Sequence, residues 1–166
     1  MIRFGTWLAV ALIAVLSAPV GAQDRRGSET NLPLPRFVSL KRDEARARRG
    51  PSFSYRIDWV YQRRHLPLQV TAEYGHWRRV RDRDGAGGWV HYSLLRGQRT
   101  VIVERDLLSL HRRPNPDAPM VARLEMGVVA DLGKCNPEWC YVSTEGYKGW
   151  VVKSALWGVL PDEIRQ

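Results

Sequence analysis

Cysteine and histidine are scarce in this chain, with two and four in 166 residues. His65, His76, His91 and His111 keep no metal-ligand spacing with Cys135 or Cys140, so a zinc site with its fixed tetrahedral ligand set is not expected. The chain also lacks a Gly-x-Ser-x-Gly elbow and a Cys-x-x-Cys pair, which leaves no recognisable nucleophile with its base. Asp58, Glu73 and Asp84 could pair in space as glycan-cutting carboxylates, but nothing marks them out. The composition therefore points to a non-enzymatic protein without a cofactor or metal. Long apolar runs are absent as well. The longest, Trp7 to Leu16, falls short of the roughly 20 residues that span a bilayer. It follows Arg3 and leads into Ser17-Ala18-Pro19-Val20-Gly21-Ala22, the order of a secretory signal cut after Ala22. A periplasmic or secreted protein with no membrane span in its mature chain is the expectation.

Acidic residues are outnumbered, 17 against 26 basic, and the excess is local. Residues 36–99 carry 15 basic and 6 acidic side chains, whereas residues 100–166 carry 8 and 9. An anionic partner would thus meet the first half of the chain. Since 22 of the 26 basic residues are Arg, a compositional bias with a merely solvated face explains the charge equally well. Export makes nucleic acid an unexpected partner, although charge alone would permit it.

What the sequence has in abundance is repetition. Trp77 is followed by Gly88-Trp89-Val90, and Trp139 by Gly149-Trp150-Val151, an offset of about 61 or 62 residues between the copies. Short β-branched and aromatic runs alternate with turn residues: 68–72, 77–80, 88–92, 100–103, 128–132, 139–143 and 149–152. Such spacing predicts small hairpins closed into a barrel or sandwich. Asp84-Gly85 and Glu145-Gly146 take matching hairpin turns. Asp82-Arg83-Asp84-Gly85 holds only a fragment of a calcium loop, with arginines around it, and reads as a turn. Lys41 to Arg49 has a helix-compatible composition.

The division that follows is signal peptide 1–22, flexible leader 23–35, a basic first domain 36–99 and a second domain 100–166. At about 60 residues each half is marginal alone, so the two should pack together. The predicted first core is Ile57, Trp59, Val70, Trp77, Val80, Trp89 and Val90. The second is Val121, Leu124, Val129, Trp139, Val142, Trp150 and Val151. In an exported protein Cys135 and Cys140, set around Pro137, are expected to form a disulfide that staples a hairpin. For binding, Tyr55, Tyr61 and Tyr92 are the candidate surface rings. Arg79 and Arg81, two apart in a strand and so on one face, are the candidate charged pair.

Ala45-Arg46-Ala47-Arg48-Arg49-Gly50-Pro51-Ser52, Leu66-Pro67, Trp77-Arg78-Arg79-Val80 and Gly88-Trp89-Val90 together resemble the exported, tandem bacterial SH3-like family. Leu110 to Pro114, Gly127-Val128-Val129, Trp139-Cys140-Tyr141-Val142, Gly149-Trp150-Val151 and Leu156-Trp157-Gly158-Val159 carry the second copy. The resemblance spans about residues 36–163 and implies an all-β fold of two small SH3-like barrels. It also implies cell-wall (peptidoglycan) binding, with an adaptor for another envelope protein as the alternative. The second copy has Arg113-Pro114 where the first has Gly50-Pro51.

Overall fold

A computed structural model describes residues 25–166. The predicted signal peptide lies outside the described residues. The chain is all-β. Its first half builds β1 (Arg36–Leu40), β2 (Ala45–Arg48), β3 (Ile57–Tyr61), β4 (Pro67–Tyr74), β5 (Trp77–Arg81), β6 (Gly87–His91) and β7 (Leu95–Arg96). The second builds β8 (Thr100–Val103), β9 (Leu108–His111), β10 (Met120–Leu124), β11 (Val129–Cys135), β12 (Trp139–Thr144), β13 (Tyr147–Val152) and β14 (Leu156–Trp157). A single 3-10 turn precedes the last strand of each half, at Tyr92–Leu94 and Lys153–Ala155.

Each half is one antiparallel sheet of seven strands. The orders, β3-β2-β6-β5-β4-β1-β7 and β10-β9-β13-β12-β11-β8-β14, are the same order displaced by seven. The repeat in the sequence is therefore a repeat of topology, two SH3-like barrels in tandem. Each has its own core. Leu40, Ala45, Ala47, Tyr61, Leu68, Val70, Val80 and Val90 fill the first, while Val101, Leu110, Leu132, Val142 and Val151 lie at the heart of the second.

Pleat parity explains where the predicted cores were misassigned. Adjacent strand residues face opposite ways, so Trp89 and Val90 cannot share a core. Val90 and Val151 are fully buried, and Trp89 and Trp150 lie half-buried on the outer faces. Trp77 and Trp139 are buried, but under loops rather than within either core cluster. Ile57, Trp59 and Val121 are exposed because β3 and β10 are terminal strands of their sheets. Val129 is half-buried. Residues 45–48 are strand rather than helix, since Ala45 and Ala47 alternate inward against exposed Arg46.

The leader also departs from expectation. Residues 25–35 are attached to the first barrel through a turn closed by the Arg26–Pro33 bridge. Its anchor is Glu73, whose carboxylate accepts hydrogen bonds from Glu29 N, Thr30 N and Thr30 Oγ1 at 3.0, 2.9 and 2.7 Å. Arg36 and Arg78 complete the cage, at 2.5 and 3.4 Å. Burial pushes the Glu73 carboxyl up, but the hydrogen bonds from Thr30, Arg36 and Glu29 outweigh it and hold its pKa at about 2.

Glu73 lies opposite Arg78 across the β4–β5 pair, just as Cys135 lies opposite Cys140 across β11–β12. The expected disulfide is present. The first barrel thus holds an ion pair where the second holds a covalent link. The C-terminal residues dock on Cys135 through paired backbone hydrogen bonds with Arg165, as the leader docks on Glu73. Closing so short a loop contributes about 2 kcal/mol on the chain-entropy account. Reductant should lower the melting temperature accordingly, and an unchanged melting curve would show the link to be dispensable.

Only residues 97–99 separate β7 from β8, and the barrels touch directly. Phe37 meets Trp157 edge to face at 5.1 Å, with the Arg99 guanidinium 5.5 Å from the Phe37 ring. Arg99 also forms a two-pronged ion pair with Glu163. Thr100 donates its hydroxyl to His65 O, and Arg63 donates to Gly127 O.

Candidate functional site

Strand β5 carries Arg-Arg-Val-Arg, and the pleat sends Val80 into the core while Arg79 and Arg81 emerge together on the outer face. Arg79 sits opposite Trp89, and Trp89 opposite Arg48 on β2, so the half-buried indole lies between two guanidinium-bearing residues. Arg79, Arg81, Trp89, Arg49, Asp58 and Thr71 line an open, polar cavity of about 590 Å³. Arg81 Nε donates to Gln69 Oε1 at 2.7 Å, which fixes its head, and Asp58 is shared by Arg49 and Arg56. The Arg79 guanidinium, by contrast, is engaged by no acceptor among the described residues. The surface can therefore offer a planar cation beside an aromatic face, a pairing suited to carboxylates and to ring-stacking groups.

The five candidate binding residues do not form one site. Arg79 and Arg81 come together. Tyr55, 47% exposed, lies against Gly50 in the β2–β3 loop and does not line this cavity. Tyr92, 48% exposed, belongs to a different cluster. Tyr61 is buried and donates its hydroxyl to Ala86 O, and burial pushes its phenol pKa up, so it is a core residue rather than a surface partner.

Two further grooves were not foreseen, one per barrel, each built on a buried Trp under the β2–β3 or β9–β10 loop. In the first barrel Phe53 covers Trp77 edge to face at 4.8 Å and stacks on His91. His91 in turn neighbours His76 and Tyr92. Burial, then the charges of His76 and Arg78, lowers the His91 pKa and favours a neutral imidazole. The remaining cavity is about 270 Å³. In the second barrel Pro116 stands where Phe53 covers the first, and the groove opens to about 820 Å³ between Trp139, Val152, Leu156, Val159 and Pro161. Its one cation, Lys153, donates to Pro161 O and Glu163 O. Trp139 is held by His111 at 5.7 Å, edge to face. Among the described residues no group of three or more His, Cys, Asp or Glu could hold a metal, and no helix is long and apolar enough to cross a membrane.

The charge asymmetry has a residue-level origin. The second-barrel counterparts of Arg79, Arg81 and Arg48 are Tyr141, Ser143 and His111, by register against Trp150 and its strand. The same fold forms without those arginines, so barrel closure does not require them.

The sequence model of the bacterial SH3 domain matches this chain twice, over residues 41–97 and 104–158. No curated protein sequence matches at a significant level. Among solved structures, NlpC2 from Trichomonas vaginalis is 12% identical with a TM-score of 0.35, the match covering 74% of this chain and 48% of that one. NlpC1 from the same organism is 11% identical, also at TM-score 0.35, with 87% of this chain and 50% of that one covered. The chain thus spans about half the length of each.

Proposed function

The chain belongs to the bacterial SH3 domain family, in two tandem copies, and on that premise we propose that it is a non-enzymatic binding module of the cell envelope, working outside the cytoplasm. Its ligand is the peptidoglycan wall, met through the basic outer face of the first barrel. The observation that carries this reading is the Arg79–Trp89 face with Arg81 beside it. It places bidentate donors next to a ring, and its absence from the second barrel shows that the fold does not need it. Wall peptides present carboxylates and wall glycans present stacking faces. Because the arginines are exposed, contact through them weakens with salt but is reinforced by the indole.

The test is co-sedimentation with protein-free wall sacculi across a salt series, wild type against Arg79→Ala/Arg81→Ala. Binding should persist at physiological salt and weaken about tenfold in the variant, equivalent to ~1.4 kcal/mol. Failure to sediment at any salt would sink the wall reading. The second reading, an adaptor for another envelope protein, is favoured by one feature, the apolar groove around Trp139. Binding there would tolerate salt and be lost in Trp139→Ala.

A further inference from the structure

Arg78 points to the opposite side of β5 from Arg79, and there it meets two other arginines. Arg36, Arg78 and Arg96 line a cavity of about 330 Å³ whose remaining wall is apolar, chiefly Leu32, Phe37 and Leu95, with the Tyr92 ring at one side. Glu73 neutralises one of the three charges, through its contacts with Arg36 and Arg78. Arg96 has no carboxylate partner among the described residues, and its contact with Ser39 Oγ is long, at 3.4 Å. Two guanidinium nitrogens here, Arg36 Nη1 and Arg96 Nη2, are buried with no hydrogen-bond acceptor among the described residues. Native proteins satisfy nearly all such donors, and one left unmade is costly. An anion in this cavity would balance the residual positive charge, and a small rotation of the Arg36 and Arg96 guanidinium groups would turn their unpaired nitrogens onto it.

The second barrel has no such arrangement. Its counterparts of Arg78 and Arg96 are Cys140 and Trp157, by strand register. Leu32 reaches the cavity because the 25–35 segment is pinned on Glu73, so the wall is assembled by the same carboxylate that organises two of the arginines.

We propose that this cavity is a carboxylate-binding site for the free C-terminal end of a peptide whose last side chain is apolar: Arg96 and Arg36 take the carboxylate, and Leu32, Phe37 and Leu95 take the side chain. A cavity of this volume lies at the small end of ligand sites, enough for one terminal residue. Capture of a chain end by clustered donors is a recurrent recognition mode. The site is separate from the Arg79–Trp89 face and does not depend on wall binding.

N-acetyl-leucine, its uncharged amide and inorganic phosphate serve as probes, titrated by NMR into the chain cut after Ala22, which carries the segment. The acid should bind in the millimolar range and shift the amides around Leu32, Tyr92 and Arg96. The amide should bind at least tenfold more weakly. Arg96→Gln should weaken the acid by tenfold or more, while Arg83→Gln, an equal charge change on the exposed hairpin turn, should leave it alone. Leu32→Ala keeps the fold intact, since Leu32 is 48% exposed, and should weaken the acid severalfold even if Arg96→Gln proves unstable. Equal binding of acid and amide would overturn the proposal. So would phosphate binding as tightly as the acid, equal losses in Arg83→Gln and Arg96→Gln, or no binding by any probe.

Discussion

Replacing Glu73 by Gln should cost the first barrel about 3 kcal/mol and release the 25–35 segment, because breaking a buried ion pair strands its partners. The Glu73 side chain is fully buried between Arg36 and Arg78, and loss of its charge leaves two guanidinium groups in a poorly solvated place. A glutamine there can accept one hydrogen bond from Thr30 but cannot answer either cation. In a chain of this size the change amounts to a fall of roughly 10 °C in melting temperature. Acid should imitate the mutation. The Glu73 pKa is depressed from an ordinary 4.5 to about 2, so the stability it confers is present above about pH 4.5. It drains away as pH falls toward 2. The Glu73→Gln variant should lack that part of the acid transition, and limited proteolysis should cut its residues 25–35 at neutral pH. A wild-type melting curve in the variant would remove Glu73 from its role as anchor. The second barrel has its covalent link at the same register position, so it alone should respond to thiols.

Gly88→Ala and Gly149→Ala should each destabilise their barrel by about 2–3 kcal/mol, the upper part of the usual cost of overpacking. These are the glycines of the repeated Gly-Trp-Val. Each lies where one strand passes close to another: β6 meets β2 beside the Arg48–Trp89 pair, and β13 meets β9 beside Trp150–His111. A Cβ at Gly88 would stand 2.6 Å from Arg48 O, and one at Gly149 would stand 2.5 Å from His111 O. Gly88 also has φ +155, which side chains rarely adopt. Since the obstacle is backbone, neither site can yield by a rotamer change. Urea denaturation followed by tryptophan fluorescence should show one early transition in each variant, in the barrel that carries the change. Losses under about 0.5 kcal/mol, the scale of an ordinary surface substitution, would show that these approaches are not tight.

The motif now has a physical reading in full: glycine for the approach, tryptophan outward, valine into the core. Its repetition, the hairpin turns and the disulfide were legible in the sequence because each depends on neighbours along the chain. They left barrel and sandwich both open, and the resemblance to the SH3-like family implied the tandem barrel. Which side of the sheet each residue takes was less legible. Val90 and Trp89 are equally apolar as letters, and only the pleat separates them. Tyr61 was misread for the same reason, since its inward position at the end of β3 follows from pairing with Ala45. Ile57 and Trp59 looked like core because apolar content does not reveal that a strand lies at the end of its sheet. The Glu73 cage was hidden because its members, Thr30, Arg36, Glu73 and Arg78, are scattered over some 50 residues, and no local pattern joins them. Of the candidate site, the shared face of Arg79 and Arg81 followed from a spacing of two. The Phe53–Trp77 and Trp139 grooves did not, since loops that are distant in sequence form their walls.

The three-residue connection between β7 and β8, braced by Phe37 against Trp157 and by Arg99 against Glu163, has a bearing on avidity. On the proposed binding role, the Arg79–Trp89 face of one barrel and the Trp139 groove of the other would be held at a set separation and would meet a polymer at a set interval. Once one face is engaged, the second no longer searches a volume, and its effective concentration is high for ligands whose repeat matches the spacing and near zero for those that do not. Weak contacts on each barrel would then add up to selective retention on an ordered, repeating surface. The same contacts would give little hold on its soluble fragments.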